Sequence, residues 1–145
     1  MKHTETIDIS TRAYKAAVFD LDGVVTDTAR LHARAWKRMF DAYLADRGRR
    51  RSENYRSFDD QADYQQHVDG KPRYDGVADF LASRDIDLPR GDPEDPPSRE
   101  TVCGLGNRKN QIFQELLNAG DLETYPASIA LIRRLRGGGL KTAVV

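Results

Sequence analysis

The chain has 145 residues, and Lys plus Arg balance Asp plus Glu at 23 each, so its formal net charge is zero. That balance excludes a wrap for nucleic acid or a binder of anionic membrane, both of which need a basic excess. With 32% charged and 39% apolar residues, the composition is that of a polar globular chain with a modest core. No apolar run approaches the ~20 residues of a membrane span. Met1 to Ser10 is polar and of mixed charge, without the apolar centre of a secretory signal. Cys103 is the lone cysteine, which leaves neither a disulfide framework nor a cysteine-only zinc site and makes it a structural or surface thiol by default. A cytoplasmic globular protein is expected.

In chain order, Ala16-Ala17-Val18-Phe19 reads as a short buried strand, with a turn at Asp22-Gly23. Thr28 to Asp46 has helical spacing: Leu31, Ala35, Met39 and Ala42 share a face that Trp36, Phe40 and Tyr43 widen. Arg47-Gly48-Arg49-Arg50-Arg51 then breaks the pattern and reads as a solvated loop rather than an anion site. A second helix is expected over about Asp60 to His67, followed by a turn at Asp69-Gly70-Lys71-Pro72. Tyr74 to Ser83 gives a third helix. Asp85 to Arg99 carries Pro89, Pro93, Pro96 and Pro97 and is a loop. Gly104-Leu105-Gly106 lacks the third glycine and the Gly-Lys-Ser/Thr ending of a nucleotide loop, so it reads as the start of the helix over Arg108 to Ala119, with Gly120 as C-cap. Pro126 suits a first helical position, and the helix it opens runs to Arg136, stopped by Gly137-Gly138-Gly139. Thr142 to Val145 is a second buried strand.

The outline is strand, helical insertion, helix, strand, an α/β arrangement whose crossover is expected to be right-handed. Residues 13–28 and 120–145 form a partial core. Residues 29–119 hold more helix than a crossover needs and read as a separate helical cap.

Chemistry concentrates in Val18-Phe19-Asp20-Leu21-Asp22-Gly23-Val24-Val25-Thr26-Asp27-Thr28. Asp20 and Asp22 stand at the carboxyl end of a strand, where open α/β sheets bind ligands. Residues two apart in a regular strand point to one side, so both carboxylates can meet one ligand. Like charges so close favour a bound cation such as Mg²⁺. One carboxylate can serve as nucleophile and the other as proton carrier. The bland alternative is a polar strand end with a turn.

The run from Phe19 to Thr28 resembles the first signature of the haloacid-dehalogenase (HAD) superfamily. Leu31-His32-Ala33-Arg34-Ala35-Trp36-Lys37 is similar to β-phosphoglucomutase-like members, as are Arg108-Lys109-Asn110 and Tyr125-Pro126, with Ala127 where relatives place glycine. The resemblance implies a Rossmannoid parallel-sheet core, only its N-terminal part present here, with an inserted α-helical cap. It implies a Mg²⁺-dependent phosphatase or phosphomutase acting on a small sugar phosphate. Asp20 would be the nucleophile, Asp22 the general acid/base, and the Asp20 carboxylate with the Asp22 backbone carbonyl the Mg²⁺ ligands. Thr28 and His32 would lie where cap joins core, and Trp36 would line the cleft, although its spacing alone makes it core. Gly70-Lys71-Pro72-Arg73 looks like the turn whose arginine grips the non-reacting phosphate, a role that suits a guanidinium fork. Lys109 and Asn110 would face the same cleft.

The family's later serine or threonine, lysine and acidic pair would fall beyond Val145, and none can be assigned. A two-stranded parallel sheet cannot cover both of its faces, so the chain alone is expected to be unstable or inactive, or a fragment. The rival to an active enzyme is a non-catalytic remnant. A dehalogenase is disfavoured by Asp22, for which that reaction has no use. The resemblance also extends to proteins linked to trehalose or maltose, which makes a disaccharide phosphate the narrower substrate expectation.

Overall fold

The computed structural model describes residues 13–145; the reading of Met1 to Ser10 lies outside the described residues. The chain divides into two compact units, one made of residues up to Ala29 with Leu122–Val145, the other of Arg30–Asp121.

In the first unit, β1 (Ala16–Phe19) pairs in parallel with β2 (Lys141–Val144), with Ala16 opposite Lys141 and Phe19 opposite Val144. The pairing runs one step further, because the Val145 amide donates to the Phe19 carbonyl and the Leu21 amide to that of Val145, each at 2.9 Å. These strands were expected to be buried and are not: Val18 is 65% and Val144 48% exposed. The connecting helix, which spans Pro126–Gly137 with proline at its first turn, buries Leu135, and Leu140 beyond it is also buried. β-Branched side chains form the strand, but the pair and its helix bring too little surface to enclose them.

The second unit holds the core. α1 (Thr28–Arg51) buries Leu31, Ala35, Trp36, Met39, Phe40, Tyr43 and Leu44 along one face. It continues through the arginine run, where the sequence pattern predicts a loop. Arginine is a good helix former and cations complement a helix C-terminus, and Arg47 is 6% exposed, bonded to the hydroxyls of Tyr43 and Tyr55 and paired with Glu100. Ser52, at φ 57°, ends the helix in the left-handed region.

The expected second helix is a π-turn, α2 (Tyr64–Val68), entered through a helical Ala62 and Asp63. Its ring is widened by the Asp69 amide, which donates to the Tyr64 carbonyl at 2.9 Å. Asp63, 3% exposed, ties it down by pairing with Arg84 at 2.6 Å and Arg56 at 2.9 Å. α3 (Arg73–Ala82) follows the turn at Gly70, whose φ of 67° suits glycine. α4 (Val102–Asn118) begins well before Arg108 because Thr101 caps it, accepting from the Gly104 amide at 2.9 Å. The glycine pair therefore lies in its first turns, and Cys103 is buried there. The Pro126–Gly137 helix of the first unit is α5.

Phe40 is the hub of the second unit. Its ring lies 4.0 Å from Phe80, 5.2 Å from Phe58 and 5.4 Å from Trp36, centroid to centroid. Phe40→Ala is expected to cost about 3–5 kcal/mol in a urea melt. Val18→Thr, on the exposed strand, should stay within about 0.5 kcal/mol of the parent. A larger loss from Val18→Thr would mean that the strand is covered in solution.

Candidate functional site

In the first unit the site residues follow β1. Asp20 and Asp22 are both exposed. The strand ends at Phe19, so the alternation of a regular strand does not govern them. The chain turns instead, with the amides of Val25 and Thr26 both donating to the Leu21 carbonyl at 3.0 Å and the Thr26 hydroxyl joining them at the same distance. Gly23 supplies the turn at φ 73°, a conformation that costs a side chain-bearing residue free energy. The amide of Gly23 closes the loop onto the Thr26 carbonyl at 2.8 Å. The segment before α5 fastens the outer side: the Asp27 amide donates to Glu123, the Tyr125 amide to Val25 and the Ser128 hydroxyl to Val24. The two carboxylates thus sit on a loop pinned at both ends. Thr28 opens α1 and is half-buried.

Carboxylate oxygens are the hard donors that Mg²⁺ takes, and Mg²⁺ is usually held by one or two of them with substrate oxygens and water completing the shell. Asp20 and Asp22 fit that pattern. Among the described residues no group of three or more His, Cys, Asp or Glu gathers into a full protein cage.

In the second unit, three of the residues singled out in the sequence, Lys109, His32 and Trp36, come together. This lysine is 5% exposed. Its Nζ lies 2.6 Å from His32 Nδ1 and 5.0 Å above the rings of both Trp36 and Phe113. His32 in turn stacks on Phe113 at 4.3 Å. An ammonium donating to Nδ1 fixes the imidazole as the tautomer protonated at Nε2. Burial, and then the charge of Arg73, bring the Lys109 pKa down to about 8. Among the described residues neither Lys109 nor Arg73 enters an ion pair with a carboxylate.

Arg73 is the first residue of α3 and half-buried rather than solvated. Its Nη2 donates to the Tyr74 hydroxyl at 3.0 Å, and its Nε is buried without a hydrogen-bond partner. Lys71 is not part of this group. It lies in the exposed turn, 2.5 Å from Asp79 and 3.1 Å from the Gln66 carbonyl. Asp79 also meets His67 Nδ1 at 3.1 Å, and both contacts hold its carboxyl below the usual range. Asn110, next to Lys109 on α4, is exposed. Phe113 was missed as a site residue because its helical spacing marks it equally well as core.

Known proteins resemble the chain over most of its length. A family model described as haloacid dehalogenase-like hydrolase matches residues 14–145. A β-phosphoglucomutase of Mycobacterium bovis is 51% identical over 131 residues, which are 90% of this chain and 50% of that protein. An uncharacterized glycosyl hydrolase of Mycobacterium tuberculosis is 43% identical over 135 residues, 93% of this chain but 10% of that protein. Among solved structures, CbbY from Rhodobacter sphaeroides in complex with phosphate is similar with a TM-score of 0.52 and 25% identity, over 90% of this chain and 49% of that one. The chain spans about half the length of the β-phosphoglucomutase and of CbbY.

The lowered Lys109 pKa has a consequence for stability. Unfolded, the group titrates near 10.5, and folded at about 8. Between those values the unfolded chain holds a proton that the folded chain has released, so stability rises with pH through that window. The protein should gain more stability between about pH 8 and about pH 10 than a Lys109→Met variant does, measured by urea melts at both pH values. Equal gains would place the ammonium in water.

Proposed function

Because the chain belongs to the haloacid dehalogenase-like hydrolase family, we propose that it carries a Mg²⁺-dependent phosphoryl-transfer function, phosphatase or phosphomutase, on a small sugar phosphate. The observation that carries this reading is the pair of cations Lys109 and Arg73, close enough for one to lower the other's pKa and, among the described residues, without a carboxylate to neutralise them. Such a pair leaves an anion as its natural complement. The β-phosphoglucomutase relative and the phosphate bound to CbbY support phosphate as that anion.

In this reading Asp20 attacks phosphorus in line with the leaving oxygen and becomes an aspartyl-phosphate. Asp22 gives a proton to the leaving oxygen and then takes one from the water or sugar hydroxyl that attacks the phosphorylated aspartate. The Asp20 carboxylate and the Asp22 backbone carbonyl would hold Mg²⁺, which supplies neutralisation of charge on the phosphoryl oxygens. Arg73 and Lys109 would take a phosphate group of the substrate, while Lys71, engaged by Asp79, and the exposed Asn110 stand apart from them. His32 takes one N–H of Lys109, and Trp36 offers an apolar face to the sugar. Thr28, at the start of α1, borders the reacting groups. Phosphatase and mutase differ in the final acceptor.

A second reading, a sugar-phosphate-binding module without turnover, rests on the Lys109–Arg73 pair, which could take an anion without Asp20 or Asp22 acting. The test is phosphate release from a panel of sugar phosphates by the purified protein, with and without Mg²⁺, beside Asp20→Asn. The enzyme reading expects release that disappears with EDTA and falls at least 10³-fold in the variant, an order set by loss of the nucleophile. Release that survives Asp20→Asn would assign the chemistry elsewhere. Saturable sugar-phosphate binding with no release would favour the binding module.

A further inference from the structure

Arg73 is held by neutral groups, and that arrangement reaches back into the proline-rich loop. We propose that Tyr74 and Asn107 are positioning residues for Arg73, anchored by the segment from Pro89 to Thr101; the proposal rests on reading Arg73 as the anion-binding arginine.

The Arg73 guanidinium carbon lies 4.9 Å from the centroid of the Tyr74 ring, while Nη2 donates to the hydroxyl of the same residue at 3.0 Å. That hydroxyl has a single proton to give, and its nearer acceptor is Asn107 Oδ1 at 3.0 Å, with the Pro93 carbonyl at 3.4 Å. Asn107 is fixed from its other end, because Nδ2 donates to the carbonyls of Pro93 at 2.8 Å and Asp95 at 2.9 Å. The side-chain amide thereby has both its acceptor and its donors committed, and the hydroxyl it faces is aimed.

The loop that presents those carbonyls is itself a closed knot. Asp95, 4% exposed, accepts from the Thr101 hydroxyl at 2.7 Å, from Arg99 at 2.6 Å and from the Asp92 amide at 3.1 Å. The carbonyls of Pro89 and Arg90 take the Val102 and Cys103 amides, two of the donors that the start of a helix leaves open. Gly106 makes room for the stack: a Cβ there would lie 2.7 Å from Tyr74 Cδ1 and 3.3 Å from Arg73 Cγ.

The holding groups are chosen in a way that matters. A carboxylate would fix a guanidinium more firmly, but it would also neutralise it. A ring face and a hydroxyl fix its orientation while leaving its charge and its Nε–H uncommitted. This is the arrangement of an arginine preorganised for an incoming anion.

The test titrates inorganic phosphate into the full chain and follows both affinity and the Arg73 Nε–Hε resonance by NMR. Tyr74→Phe keeps the ring and removes the hydroxyl; Asn107→Ala removes the anchor. Each is expected to weaken phosphate about tenfold, to shift or broaden the Arg73 resonance in the free protein, and to add little when combined, since both act through one chain of bonds. In an Arg73→Lys background, Tyr74→Phe should cost nothing further, an outcome that a general structural role would not produce. If Arg73→Ala abolishes phosphate binding while Tyr74→Phe and Asn107→Ala leave affinity and resonance unchanged, the positioning proposal is overturned and the anion reading stands. If phosphate binding is indifferent to Arg73→Ala, the anion reading fails and the proposal falls with it, even where Tyr74→Phe still moves the Arg73 resonance.

Discussion

The second unit turns on one buried ammonium. Removing a lysine from water costs several kcal/mol unless something compensates it, and the usual compensation is a carboxylate. Lys109 has instead an imidazole nitrogen and two aromatic faces, which stabilise a cation without cancelling its charge. Those groups are supplied by the same helix faces that build the core. Trp36 stacks on Phe40, and Phe40 on Phe58 and Phe80. The site is therefore one wall of the hydrophobic core rather than an addition to its surface. A substitution that loosens the aromatic cluster would disturb the cation as well.

The first unit solves a different problem. Its two carboxylates are exposed on a loop beyond the end of β1, so the backbone must hold them. The Leu21 carbonyl, with two amides and a hydroxyl on it, makes the bend compact. The bonds from the segment before α5 keep its far side in place. Rigidity here comes from hydrogen bonds, whereas in the second unit it comes from apolar packing. This difference matches the exposures: among the described residues the large apolar side chains left most open, Val145, Val18, Tyr14 and Val144, all belong to the first unit.

Much of this was legible in the sequence, for reasons specific to each element. The first helix announced its buried face by spacing, and Gly23 announced its turn. The parallel pair was readable from two short β-branched runs, but their burial was not, because burial depends on how much surface the rest of the fold brings. Arg47 misled because a run of arginines reads as solvent-facing. Only the fold places two tyrosine hydroxyls and Glu100 around one of them. The glycine pair was legible as the start of α4, but the extent of the helix back to Val102 was not: Gly104 and Gly106 have low helix propensity, yet one accommodates the loop before the helix and the other the Tyr74 ring. Of the site residues, Lys109, His32 and Trp36 could be named from motif resemblance. Their mutual contacts, 77 positions apart for the hydrogen-bonded pair, could not.

The two cations are not interchangeable in what they demand of an anion. Lys109 titrates at about 8, so its charge can be withdrawn within an ordinary pH range, while a guanidinium keeps its charge throughout. An anion bound to both would stabilise the charged lysine and raise its pKa, and by linkage its own binding would take up a fraction of a proton near pH 8. In the proposed reading Arg73 would set the direction from which an anion is met, since its planar fork has fixed geometry. Lys109 would tune the strength, since its charge can vary with what is bound. Such a division would separate geometry from affinity, in keeping with an arginine braced through bonds to neutral groups and a lysine set among aromatic faces.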